Sequence, residues 1–156
     1  MDMADLIRPD RVIADLRAPD KAQLLNELSR RAAKALGIDT QIVLGALRRR
    51  EGLGTTGIGQ GIAIPHARVE GLQQIFGLFA RLEHAIDFAA IDAQPVDLVF
   101  LLLTPENAGN EHLAALACVS RRLRDHDVAQ GLRAIRDGRT LYAQLVGPGS
   151  ATEKPA

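Results

Sequence analysis

One cysteine, three serines, no surplus of charge and no long apolar run already narrow the chemistry open to this 156-residue chain. Cys118 is alone, so no intrachain disulfide can form. It falls within a helical pattern and reads as a small buried hydrophobe, which argues against a cysteine protease. Ser29, Ser120 and Ser150 are the only serines, and none sits at a glycine elbow, which argues against a serine hydrolase. Nineteen basic and nineteen acidic residues cancel, leaving no bulk electrostatic attraction to nucleic acid. No apolar run approaches membrane-spanning length, so membrane insertion is not expected. The N-terminal residues Met1–Asp5 are acidic rather than basic and do not read as a signal peptide. The expected location is therefore the cytoplasm.

What is present is a rich apolar fraction, 47%, in a length that suits one domain with a full core. Residues 1–10 read as a lead-in, 11–147 as the folded domain and 148–156 as a disordered tail rich in glycine and proline. Arg11–Ala14 suits a short first strand. Pro19 and Asp20 suit the first turn of a helix carrying Leu25, Leu28, Ala32 and Leu36, and Gly37 suits its stop. Asp39 is placed to cap a second helix with Ile42, Val43, Ala46 and Leu47 on one face. Ile75–Leu82 and Val96–Leu103 are nearly continuous apolar runs of strand length, as expected for strands covered on both faces. Asn110 is placed to cap a helix with an inner stripe of Leu113, Leu116, Ala117, Ser120 and Leu123. Asp127 and Asp137 suit the starts of two further short helices. Interleaved strands and helices give an α/β class, with α+β as the alternative: a single-domain mixed β-sheet flanked by helices on both faces.

The densest signal runs from Gly57 to Arg68. Gly57, Gly59 and Gly61 alternate, Ile62–Ile64 reads as a buried strand, Pro65 closes its ladder and His66 follows. The glycines do not form a dinucleotide fingerprint, because Ile62 stands where the third glycine belongs and the run precedes a strand. No lysine follows them, which excludes an NTPase phosphate loop. They read as a tight turn feeding the strand. With serine and cysteine set aside, His66 itself is the nucleophile candidate, since a neutral imidazole carries a free lone pair near pH 7. Phosphoryl transfer asks the protein for little more than cations and donors around three oxygens. Arg50 can supply a forked cation, or can be one of three solvated arginines at a helix end. His112 falls in the first turn of a helix, where it either serves an anion or faces water. Thr55 and Thr56 add hydroxyls. A zinc site on His66 and His112 finds no third ligand at metal spacing. His84, after a strand, and His126, among charges, read as exposed bystanders. Asp87, Asp92 and Asp97 read as turn and cap chemistry.

Three blocks resemble a known family. Gly54–His66 resembles the active-site segment of phosphotransferase-system (PTS) EIIA domains of the fructose/mannitol class. Ala85–Pro105 resembles the block that follows it, and His112, Leu113, Leu116, Arg122, Leu123 and Asp125 resemble the helix bearing the family's second histidine. The resemblance covers about residues 10–146 and is nearest to the stand-alone nitrogen-related IIA proteins. It implies a mixed sheet between helices. It implies His66 as the phosphorylated residue, fed from a phosphohistidine on an HPr-like phosphocarrier (NPr in the nitrogen branch). His112 would hydrogen-bond the phosphoryl group, Arg50 of the Arg50-Glu51 pair would compensate its charge, and Thr56 would match a small hydroxyl position. No metal, nucleotide or other cofactor is implied. Gln60 and Ala85 depart from the residues common in the family.

The function implied is a phosphoryl carrier whose phosphorylation state regulates partners, such as potassium-transport or sensor-kinase components. The alternative is a sugar-specific fructose or mannitol IIA passing phosphate to a separate IIB protein. A binding module that works without phosphorylation is a third reading. A hydrolase using the histidine pair lacks a carboxylate partner.

Overall fold

The computed structural model describes residues 1–148. Two 3-10 turns, Met3–Asp5 and Pro9–Arg11, lead into β1 (Val12–Leu16), α1 (Lys21–Leu36) and α2 (Thr40–Gly52). Three short strands follow, β2 (Gly57–Gly59), β3 (Ile62–Ala63) and β4 (His66–Val69). The long strands β5 (Phe76–Ile86) and β6 (Val96–Pro105) precede α3 (Asn110–Arg124), α4 (His126–Ala134) and α5 (Gly138–Val146). The sheet is mixed, in the order β1-β5-β6-β3-β2, with β4 also paired to β6. The sequence-based expectation of a mixed sheet with helices on both faces holds.

The two apolar runs are the central pair, antiparallel from Phe76 opposite Leu103 to Arg81 opposite Leu98. Their alternate side chains feed two cores. Val99, Leu101 and Leu103 pack with α1 and α2, whereas Leu98, Phe100 and Leu102 pack with α3, α4 and α5. The first ten residues, expected as a lead-in, bury Met3, Leu6 and Ile7 in the second core. Burying three large apolar side chains stabilises more than leaving them as a free arm. The expected tail 148–156 lies, beyond Pro148, outside the described residues.

Caps are largely local chemistry. Asp39 accepts from Gln41 N and Asp137 from Thr140 N, as their positions predict. Asp20 is itself the N-cap of α1, accepting from Gln23 N, so Pro19 stands before the helix. Gly37 ends α1 in the left-handed region at φ 72°. Two starts and one buried face differ from expectation. Gly109, at φ 62°, is the N-cap of α3, and Asn110 is its first residue. Asp125 caps α4 through Asp127 N and Val128 N, two residues earlier than Asp127. Ile42 is 48% exposed, because Leu44 takes its place inside.

Pro65 does not close the ladder. It lacks an N–H, yet its carbonyl still accepts from Leu102 N at 2.9 Å, so pairing along β6 resumes at once with His66 opposite Leu102. His66 therefore begins a strand at the sheet edge instead of trailing one. His84 likewise lies inside β5, although its side chain is solvent-exposed.

Candidate functional site: two histidines at a sheet edge

Four elements converge on β4. Gln60 and Gly61, at φ 61° and 79°, turn the chain tightly between β2 and β3. Asp92 accepts from Gln60 N, and Arg133, paired with Asp97, donates to the Gln60 carbonyl. The hairpin so anchored delivers Ile62–Pro65 along β6 and sets His66 at a defined height. From one face of the sheet comes the end of α2; from the other comes the start of α3.

Arg50, in the last turn of α2, donates through Nε to His66 Nε2 at 3.2 Å and through Nη1 to the Gly54 carbonyl at 2.8 Å. Arginine has no acceptor, so His66 Nε2 must present its lone pair. The proton then sits on Nδ1, which donates to the Ile64 carbonyl at 2.7 Å. The network thus assigns the tautomer. Burial holds His66 below the ordinary histidine pKa, with Arg50 acting the same way and the Ile64 carbonyl and Glu51 opposing. Near pH 7 the ring is neutral, with Nε2 nucleophilic.

His112 is not a surface residue at a helix start. It is 8% exposed, and its ring centroid lies 5.5 Å from that of His66. The buried face of α3 is His112, Ala115, Cys118, Val119 and Leu123, so the expected stripe was turned by about one residue. Leu113, expected inside, is 63% exposed. His112 Nδ1 meets the Thr104 hydroxyl at 2.6 Å, and Thr104 is fully buried on β6.

Burial, followed by the charges of Arg68, His66 and Arg50, lowers the His112 pKa to about 4. The unfolded chain therefore binds more protons here than the folded one between about pH 6.5 and about 4. Stability supplied by a neutral His112 is complete above pH 6.5 and is lost as pH falls toward 4. His66 adds in the same direction. Thermal melts from pH 7.5 to 4.5 are expected to show a falling Tm, and His112→Gln to flatten that slope.

Thr56 does not face His66. It is 3% exposed, and its hydroxyl and N–H both donate to the Glu51 carboxylate. Its role is to hold the loop. Two further residues carry no motif signal that composition or spacing reveals. Arg68, on β4, lines the same depression and reaches the Gly109 carbonyl at 3.4 Å. Thr104 orients His112. Arg49 and the 86% exposed Leu53 complete the rim of a shallow depression of about 270 Å³ around both rings. Among the described residues no group of three or more His, Cys, Asp or Glu is arranged to hold a metal ion. Among them, too, no helix is long and apolar enough to cross a membrane.

A neutral imidazole, a second imidazole beside it and arginines around a shallow, open rim make an arrangement able to accept one small anionic group. The class is an α/β domain with a two-histidine, arginine-lined site at its sheet edge. Residues 5–146 match the family described as phosphoenolpyruvate-dependent sugar phosphotransferase system, EIIA 2, and the chain belongs to that family. It is 49% identical over 148 residues to the nitrogen regulatory protein of Bradyrhizobium diazoefficiens, covering 95% of this chain and 97% of that one. Its structure is similar to the nitrogen regulatory protein IIA-Ntr of Neisseria meningitidis, with a TM-score of 0.86 and 31% identity over 92% of this chain and 98% of that one. The mannitol IIA of Escherichia coli shares the fold, with a TM-score of 0.74 at 19% identity over 88% and 97% of the two chains.

Proposed function

We propose that this protein is a cytoplasmic phosphoryl carrier and regulator that accepts phosphate on His66 Nε2 from a phosphohistidine on an HPr-like carrier of the NPr kind. The observation that carries the reading is the hydrogen bond from Arg50 to His66 Nε2, which leaves that nitrogen unprotonated. The lone pair attacks phosphorus while the donor's P–N bond breaks and its electron pair returns to the donor imidazole. No proton need move at His66, because Nδ1–H stays on the Ile64 carbonyl. Arg50 passes from the ring nitrogen to the phosphoryl oxygens. With the Thr104 hydroxyl donating to His112 Nδ1, the tautomer this role requires, His112 offers Nε2–H to the same oxygens. These fixed donors stabilise the charge spread over the transferring group.

The shallow rim suits two protein surfaces meeting over the phosphoryl group. Phosphorylation adds about 1.5–2 negative charges there and so changes which partners bind, as a regulator requires. The downstream partners proposed are regulated proteins such as potassium-transport or sensor-kinase components. The nitrogen-regulatory names of the relatives support this branch over a sugar-specific IIA. Intact-mass analysis after incubation with a phosphorylated HPr-like carrier is expected to show one added phosphoryl group, labile in acid. Persistence of that group when a fructose or mannitol IIB is added supports the regulatory branch; rapid transfer to the IIB supports the sugar branch. No uptake from any HPr-like carrier overturns the proposal.

A further inference from the structure

Arg50 follows two other arginines and directly precedes a buried carboxylate, yet among the described residues it makes no ion pair; its hydrogen bonds go to His66 and the Gly54 carbonyl. Glu51 has a side chain only 7% exposed, and its partners lie elsewhere. Oε1 is 2.9 Å from Lys21 Nζ and accepts from Thr56 N at 3.1 Å. Oε2 accepts from the Thr56 hydroxyl. Lys21 is the first residue of α1, where a cation is unfavourable toward the helix dipole. Its ammonium also lies 4.5 Å from the centre of the Phe88 ring, a second contact that fixes it. The Phe88 carbonyl in turn accepts from the Thr55 hydroxyl at 3.3 Å. The start of α1, the end of α2 and the loop before β2 are thereby locked together behind Arg50.

We propose that Lys21 and Glu51 are positioning residues for the phosphoryl acceptor: Lys21 occupies the Glu51 carboxylate so that Arg50 stays without an anionic partner and remains aimed at His66. The assignment rests on the reading of His66 as the acceptor. Without the ammonium, Glu51 would be a buried charge next to a guanidinium of its own helix. Arg50 would be drawn to it, away from the ring and from the incoming group. A buried, unpaired carboxylate is costly enough to drive that exchange. The charged and titratable groups around His66 are Arg49, Arg50 and Glu51 from α2, Arg68 from β4 and His112 from α3, so the change at Glu51 acts on a small set.

The test is the His66 titration midpoint, read by NMR from its ring protons, in Lys21→Met, Lys21→Arg and Glu51→Gln proteins whose melts confirm folding. Lys21→Met is expected to raise the midpoint, because an uncompensated carboxylate favours the imidazolium. Glu51→Gln is expected to lower it, because an anion has been removed. Lys21→Arg is expected to restore the wild-type value. General loosening would move both single variants the same way, so opposite signs separate positioning from damage. Phosphoryl uptake by Lys21→Met is expected to slow about tenfold to a hundredfold, the scale of a misplaced catalytic group. A midpoint unchanged in Lys21→Met, or shifts of one sign in both variants, overturns the proposal. If Lys21→Met does not fold, Lys21→Gln, which keeps a polar stem at this partly exposed helix start, is read in the same way. If wild-type protein takes no phosphate from a carrier, the acceptor reading fails, while the titration together with loss of the Arg50 Nε–H to His66 hydrogen bond in Lys21→Met, read by NMR, still decides whether Lys21 and Glu51 position Arg50.

Discussion

A His66→Ala protein mixed with a phosphorylated HPr-like carrier is expected to gain no phosphoryl mass, while melting at nearly the wild-type temperature. The loss in rate should be on the order of 10⁴–10⁶, the scale seen when a nucleophile or the group that activates it is disabled. Neither His112 nor His84 is placed to replace it. His112 has Nδ1 tied to Thr104 and lies almost wholly buried. His84 is 83% exposed near the C-terminal end of β5 and is not among the residues lining the depression. Fold stability should change little, because the His66 ring is only partly buried and sits at the sheet edge, where a void opens to solvent. Acid-labile phosphate on the His66→Ala protein would remove His66 from the mechanism.

The largest expected loss of stability comes from Phe100→Ala. Phe100 is fully buried at the middle of β6, opposite Phe79 on the same face of the sheet. Its ring fills the space left by Gly77: a Cβ built there would meet Phe100 Cζ at 2.8 Å. Removing the ring takes away its transfer free energy and leaves a cavity that a rigid central strand cannot close. The expected cost is about 3–5 kcal/mol. That is a large share of the roughly 5–15 kcal/mol that holds a domain of this kind together. Urea titration at pH 7.5 measures it, as a lower midpoint at constant slope. Phe100→Leu, which keeps most of the volume, should lose far less. The site is expected to fail together with the core, because β6 holds both β4 and Thr104 in place.

Some features were legible because their physics is local. Asp39 and Asp137 cap helices through backbone N–H groups two or three residues away. Gly37 stops α1 because a left-handed residue costs glycine nothing extra. Ile75–Leu82 and Val96–Leu103 announced strands covered on both faces because no polar residue interrupts their burial except Arg81 and Asp97. The segment through His66 led to the proposed chemistry by elimination among nucleophiles and by its likeness to the EIIA family, to which the chain belongs.

Other features depend on how distant pieces meet. The rotation of α3 is one. A shift of one residue turns a helix by about 100°, and only contact with β6 decides which stripe goes inward. That phase makes His112 a buried partner of His66 instead of a surface residue, and leaves Leu113 in solvent. Thr56 is another: its hydroxyl looked free for an anion, but a carboxylate five residues earlier, held in turn by Lys21, claims it. Pro65 looked like the end of a ladder because only its missing donor was counted; its carbonyl kept the pairing alive.

By itself, then, the sequence determined the class of fold, the helix ends set by short-range caps, and the imidazole proposed to carry the chemistry. The likeness to the family also singled out Arg50 and His112, but only tertiary structure decided how they reach the ring, that Arg68 joins them, and which hydroxyls are spent elsewhere. The reason is that caps and apolar periods act over a few residues. The environment of a ring, by contrast, is set by whatever the sheet brings against it from helices far apart in the chain.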